Sequence, residues 1–119
     1  QMSYNCIKDK GFKKIADWHL NNNGKLDINY DPSIRNVSGV IAILVNNKPT
    51  FFSSTRHYGP RIDDFTHSIN GNTTHVRIHS NIVEALNANE TVSLWVKDSP
   101  SPTKDKGTLL DTCNPKWNL

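Results

Sequence analysis

The sequence predicts one mixed α/β (α+β) domain: a small antiparallel sheet of about three strands flanked by helices and preceded by an N-terminal β-hairpin. Three observations predict it. Phe12, Ile15, Trp18 and Leu20 precede the polar turn Asn21-Asn22-Asn23-Gly24 and Leu26, Ile28 and Tyr30 follow it in strict alternation, the run Gly39-Val40-Ile41-Ala42-Ile43-Leu44-Val45 is almost wholly apolar, and two stretches beyond Pro60 place apolar residues at helical spacing. A chain of 119 residues can bury one hydrophobic core but not two, so any site lies on a single domain or between copies of it.

Phe12, Ile15, Trp18 and Leu20 form the first arm of the hairpin, and Leu26, Ile28 and Tyr30 the second. The apolar run that follows reads as a strand buried on both faces, and Asn46-Asn47 turns it back into Thr50-Phe51-Phe52-Ser53, with Pro49 at the strand start. Pro60 opens a helix through Arg61-Ile62-Asp63-Asp64-Phe65, with Ile62, Phe65 and Ile69 on one side and an end at Asn70-Gly71. Thr73 or Thr74 caps a second helix with the stripe Val76, Ile78, Ile82, Val83, Ala85 and Leu86, which stops before Glu90. Val92, Leu94 and Val96 make a further strand, and Ser99-Pro100-Ser101-Pro102 breaks it. A short last helix runs from about Lys104 to Cys113, ahead of the turn Asn114-Pro115-Lys116-Trp117-Asn118. The divisions are a tail over 1–10, a hairpin extension over 11–31 and a core over 38–119.

The formal charge of +3 and pI near 9.0 suit a polyanionic partner without the excess of a histone-like protein. Cys6 and Cys113, near opposite ends, read as free thiols in a cytosolic protein. No apolar run approaches the roughly 18 residues of a membrane span. Gln1 ahead of Met2 reads as a residue added before the native start. The sequons at Asn36, Asn72 and Asn89 are expected by chance in a chain this rich in Asn and Thr.

The order of hairpin, buried strand, tight turn, short strand, arginine-bearing helix, second helix, strand and Asn-Pro-x-Trp-Asn tail resembles the GIY-YIG nuclease family, most of all its endonuclease II type from T-even phages. The first signature motif falls on Gly39-Val40-Ile41 and the second on Phe51-Phe52-Ser53. The helix arginine falls on Arg61, eight positions beyond Ser53. Asn118 matches the terminal asparagine, and counting back along the tail from Asn114 puts Asp105 where the family has a metal-binding glutamate. The likeness runs from about Phe12 to Asn118.

The resemblance implies a metal-dependent DNA endonuclease, with Arg61 on the phosphate, Asp105 on Mg2+ or Mn2+, and DNA ahead of RNA as the partner. It also sets out what this chain has lost. Both signature tyrosines are replaced, by Ile41 and Phe51, and the motif glycine by Ser53. Phosphodiester hydrolysis requires an activated water and stabilisation of the charge that develops at phosphorus, and Ile41 and Phe51 carry no hydroxyl to move a proton. His57 and Tyr58, between the second motif and the helix, are candidates for a replacement base.

Arg56, Arg61, His67, His75, Arg77 and His79 are candidates for a basic face along a backbone, which Lys8, Lys10, Lys13 and Lys14 would extend. The ordinary reading of each is a solvated side chain. His75 and His79, four apart with no third ligand, make a weak metal pair. Trp18, Trp95 and Trp117 read as core or tail-docking residues. Three functions remain open: an endonuclease with a rebuilt site, a catalytically silent nucleic-acid binder, and a protein antagonist using the fold. A homo-oligomer is compatible with all three.

Overall fold

Polar turn chemistry sets the first hairpin. Asn21 Oδ1 accepts from the amides of Asn23 and Lys25 at 2.9 and 3.0 Å, and Gly24 takes a positive φ of 76°, so β1 (Lys13–Leu20) folds back on β2 (Leu26–Ile28) with Trp18 opposite Ile28. This computed structural model describes residues 5–68 and 71–118; the expectations placed on Gln1, Met2, Ile69 and Asn70 lie outside them.

The second hairpin, β3 (Gly39–Val45) and β4 (Lys48–Thr55), turns at Asn46 and Asn47, both left-handed at φ 52° and 65°. Two successive positive φ angles match the twist of paired strands, and asparagine tolerates them. Strand β5 (Val92–Asp98) pairs antiparallel with both β3 and β1, placing Ile41 opposite Val96 and Ala16 opposite Leu94. The result is one five-stranded sheet ordered β2-β1-β5-β3-β4. The mixed α+β class holds; the count of about three strands is corrected, because the N-terminal hairpin joins the sheet through β1 and β5.

Strand β3 is buried on both faces, as its composition predicts. Ile41, Ile43 and Phe51 pack with Trp18, Ile62, Phe65, Ile78 and Ile82, beneath α1 (Tyr58–His67) and α2 (Thr73–Asn87). Val40, Ala42, Leu44 and Phe52 pack on the opposite face with Ile7 and Leu109, the latter on α3 (Pro102–Cys113). The three tryptophans lie where expected: Trp18 is buried and donates to Thr66 Oγ1 at 2.9 Å, Trp117 packs on the core, and the indole of Trp95 donates to Ser93.

Several boundaries differ from the sequence reading. Helix α1 begins at Tyr58 rather than Pro60, because Val37 and Arg35 carbonyls accept the Tyr58 and Gly59 amides at 3.0 and 2.9 Å. It ends at His67, with Ser68 left-handed. Asn72, not Thr73 or Thr74, caps α2, its Oδ1 accepting from the His75 amide at 3.1 Å. Helix α3 opens at Pro102, where a missing N–H costs nothing.

Cys6 and Cys113 form a disulfide, their Cα atoms 5.4 Å apart, which corrects the free-thiol expectation. The bridge ties the short 3-10 turn Asn5–Ile7 to the end of α3. Cytosolic glutathione keeps thiols reduced and disulfides persist in oxidising surroundings, so the pairing removes the ground for a cytosolic placement. Among the described residues no helix is long and apolar enough to cross a membrane.

Gly39 has a steric reason. A Cβ there would run into the Tyr58 hydroxyl and the Lys97 carbonyl. Tyr58 is fully buried and donates to Asp98 Oδ1 at 2.9 Å, so the ring has no room to retreat. Gly39→Ala is expected to destabilise the fold by about 3 kcal/mol, measured by urea denaturation; a change below about 0.5 kcal/mol would show that the sheet yields.

Candidate nucleic-acid interface

Arg61 is placed from two directions. The start of α1 is fixed by the Arg35 and Val37 carbonyls, and Arg35 itself is held by Asp63, with Nη2 2.8 Å from Oδ2, and by the Tyr30 hydroxyl at 2.6 Å. From that helix the Arg61 Nη1 reaches β4, donating to Ser53 Oγ at 2.6 Å and the Ser54 carbonyl at 2.9 Å. Motif position Ser53 thus orients the arginine, while its cross-strand partner Ile41 is core. Burial lowers the Arg61 pKa from its ordinary value and nearby Asp64 opposes this; a guanidinium stays charged regardless.

Two cavities meet at Arg61. One, of about 350 Å³, is walled by Phe51, Ser53, His75, Arg77, Lys106 and Asn118, among others. The second, of about 680 Å³, is walled by Ser54, Thr55, Arg56, Ser101 and Lys104, among others. Arg61 lines both, and five cations, Arg56, Arg61, Arg77, Lys104 and Lys106, line the groove that the two cavities form, with no carboxylate among the described residues of its walls. In a partly desolvated cleft such a set attracts an anion more strongly than the same charges would in open water.

The predicted site residues separate. Arg56, Arg61, His75, Arg77, Asn118 and the motif positions Phe51 and Ser53 come together at the groove. Arg77 also donates to the Trp117 carbonyl at 2.9 Å, holding the tail. The Asn118 amide accepts from the Phe52 N–H at 2.8 Å and donates to the Phe52 carbonyl at 3.0 Å, extending the ladder of β4 by one side chain. Tyr58 lies in the core with its hydroxyl on Asp98; burial, then the Asp98 contact, raises its pKa, so it keeps its proton. Exposed His57 precedes α1, with Nδ1 3.4 Å from the Asn36 carbonyl. His79 donates through Nδ1 to the Phe65 carbonyl at 2.9 Å, joining α2 to α1. His67 is exposed at the end of α1. Lys8, Lys10, Lys13 and Lys14 are exposed and wall neither cavity.

Asp105 sits between Lys104 and Lys106 but does not wall the groove; its Oδ2 accepts from Ser99 Oγ at 2.6 Å and lies 3.9 Å from Lys97 Nζ. Magnesium and manganese prefer oxygen donors, carboxylates above all. Among the described residues no group of three or more His, Cys, Asp or Glu is placed to share an ion, and the groove wall offers cations where a metal would require anions. These residues do not fit a divalent cation.

Lys104, Lys106 and Asp64 carry no mark in the sequence that sets them apart as site residues. The helical spacing of 104 and 106, two positions apart, directs them into different cavities on either side of Arg61, which only the packing of α3 reveals.

The fold is that of the GIY-YIG nucleases. A solved structure with which the chain aligns over 100% of both chains is a glutamate-to-alanine mutant of EndoII from bacteriophage T4, a GIY-YIG endonuclease, at a TM-score of 0.82 and 18% identity. No protein-family profile matches the chain, and no curated protein matches it by sequence.

Proposed function

We propose that this protein binds the sugar–phosphate backbone of nucleic acid along the groove centred on Arg61. The observation that carries this reading is the wall composition: five cations, no carboxylate among the described residues, and two cavities that share one oriented guanidinium. Arginine presents a fork of donors to phosphate oxygens, and lysines add point charges on either side. The nuclease fold adds support, since such a fold presents a surface to a polynucleotide.

The groups in the groove are suited to phosphate, which fixes a strand in place without reading its sequence. DNA is the partner that the fold favours, and strands of DNA and RNA of equal length are expected to bind within a few-fold of one another. Metal-dependent hydrolysis through Asp105 has less support than binding, because that carboxylate is engaged by Ser99 and Lys97. The test is a fluorescence-anisotropy titration of labelled DNA and RNA strands in EDTA. Saturable binding of both without metal is expected; no binding of either at high protein concentration would overturn the reading.

A further inference from the structure

One wall of the Arg61 cavity carries chemistry that backbone binding does not use. His75, on the first turn of α2, has its Nδ1 buried with no hydrogen-bond partner among the described residues and 3.4 Å from Asp64 Oδ2, the two side chains being 18% and 16% exposed. Its ring stands edge-on to Phe65 with centroids 5.5 Å apart, and Phe65 stands edge-on to Phe51 at 5.7 Å. An aromatic stack that begins at the second motif, where the family has a tyrosine, therefore ends on an imidazole. With Nδ1 out of solvent beside a carboxylate, the proton is favoured on Nδ1 and the lone pair on Nε2, the nitrogen left to meet a molecule in the cavity.

Resting on the backbone-binding reading, we propose that this cavity cleaves RNA without a metal ion, with His75 as the base and the ribose 2′-hydroxyl as the nucleophile. Nε2 takes the 2′-hydroxyl proton as the 2′ oxygen forms its bond to phosphorus. The bond from phosphorus to the 5′ oxygen breaks, and that oxygen takes a proton from solvent. His75 then returns its proton to solvent. The products are a 2′,3′-cyclic phosphate and a 5′-hydroxyl, with no net consumption of water and no change of oxidation state. Arg61, Arg77 and Lys106 wall the same cavity and are placed to stabilise the charge that builds on the phosphorane oxygens. Asp64 is a positioning residue, acting through the imidazole.

RNA is the substrate because of what the walls lack. A DNA phosphodiester has no internal nucleophile, so an external water must be activated, commonly by a bound metal, and these walls do not fit one. RNA brings its nucleophile along, pre-placed beside the phosphorus, and such intramolecular placement is worth effective molarities of about 10⁵ M or more when the geometry is right. A base and a set of cations then suffice.

The protonation state agrees with this geometry. Burial lowers the His75 pKa below the ordinary imidazole value; Asp64 opposes the shift and Arg61 adds to it. The charged groups around the cavity are Asp64 and Arg61 from α1, Arg77 on α2 and Lys106 from α3, whereas β4 contributes Phe51, Phe52 and Ser53. His75 is neutral at pH 7 and gains a proton only as the pH falls through its lowered pKa, so cleavage is lost on the acid side.

The experiment incubates the full chain with a 5′-labelled RNA strand and its DNA counterpart in EDTA, identifies product ends by mass spectrometry, and measures binding in parallel. RNA cut to 2′,3′-cyclic phosphate ends with DNA intact is expected. His75→Ala and His75→Gln, purified in the same way, should lower the rate about 100-fold or more while binding stays within a few-fold. Asp64→Asn should move the acid limb of the pH–rate profile to lower pH, a displacement that a purely structural role would not produce. RNA that binds but stays uncut in EDTA, cleavage that requires magnesium, or cleavage unchanged in His75→Gln overturns the proposal. Failure of both strands to bind overturns the backbone reading and this proposal with it.

Discussion

Alanine at Arg61, Lys104 and Lys106 together lowers affinity for a nucleic-acid strand about a thousandfold. Each charge-assisted contact to a phosphate oxygen contributes on the order of 1.5 kcal/mol, and three lost contacts, about 4.5 kcal/mol, correspond to a factor of that order. Lys104 is exposed and Lys106 half-buried, so removing them leaves the core intact. Arg61 also holds Ser53 and the Ser54 carbonyl, and its loss costs the fold about 1–2 kcal/mol; a thermal melt beside the titration separates the two effects. Arg61→Lys keeps the charge and loses the fork, so its affinity falls between wild type and Arg61→Ala. A triple variant within tenfold of wild type would place the binding surface elsewhere.

Reducing the Cys6–Cys113 bridge lowers stability by about 4 kcal/mol. The two residues are 107 positions apart, and a crosslink closing so long a loop removes much of the entropy of the unfolded chain. The bridge also bears on the site. Leu109 is the buried residue of α3, so the helix that carries Lys104 and Lys106 docks with little apolar area and depends on Cys113 to stay against the sheet. Melting curves with and without reductant, beside Cys6→Ser/Cys113→Ser, are expected to differ by about 15 °C, and the reduced protein should bind nucleic acid less tightly. An unchanged melting temperature would mean that α3 is held by its other contacts.

Local pattern carried much of the fold. The alternation beyond Asn21–Gly24, the apolar run ending at Val45 and the stripe from Ile78 to Leu86 each record which side of the chain meets a core, and each became the expected element; Val76, expected in that stripe, is exposed. What stayed hidden was non-local. The pairing of Ala16 with Leu94 joins segments 78 positions apart, and no feature of either states its partner. The start of α1 at Tyr58 is set by two carbonyls of a preceding loop, and Cys6 meets Cys113 because the sheet brings the chain ends to one face.

The site was legible in part for the same reason. Arg61 stood out by its spacing from Ser53, and the structure joins the two by a hydrogen bond. Asp105 matched a position along the tail, yet its shorter side chain turns to Ser99. His75 was legible as a candidate of the basic face and as half of a weak pair with His79, but its significance depends on Asp64 from another helix and on the Phe65 ring against it. Lys106 looked like any solvated lysine until α3 was docked.

A groove of cations that meets a phosphate backbone binds with a strength set by salt, and the salt dependence of binding tests it most directly. Dissociation constants for a single-stranded oligonucleotide between about 50 and 200 mM salt should give a log–log slope near −3.5, from about 0.7 for each of five cations, its magnitude falling by about 0.7 for each cation removed from the groove. A slope near zero, or one unchanged when Arg61, Lys104 and Lys106 are replaced, would contradict it.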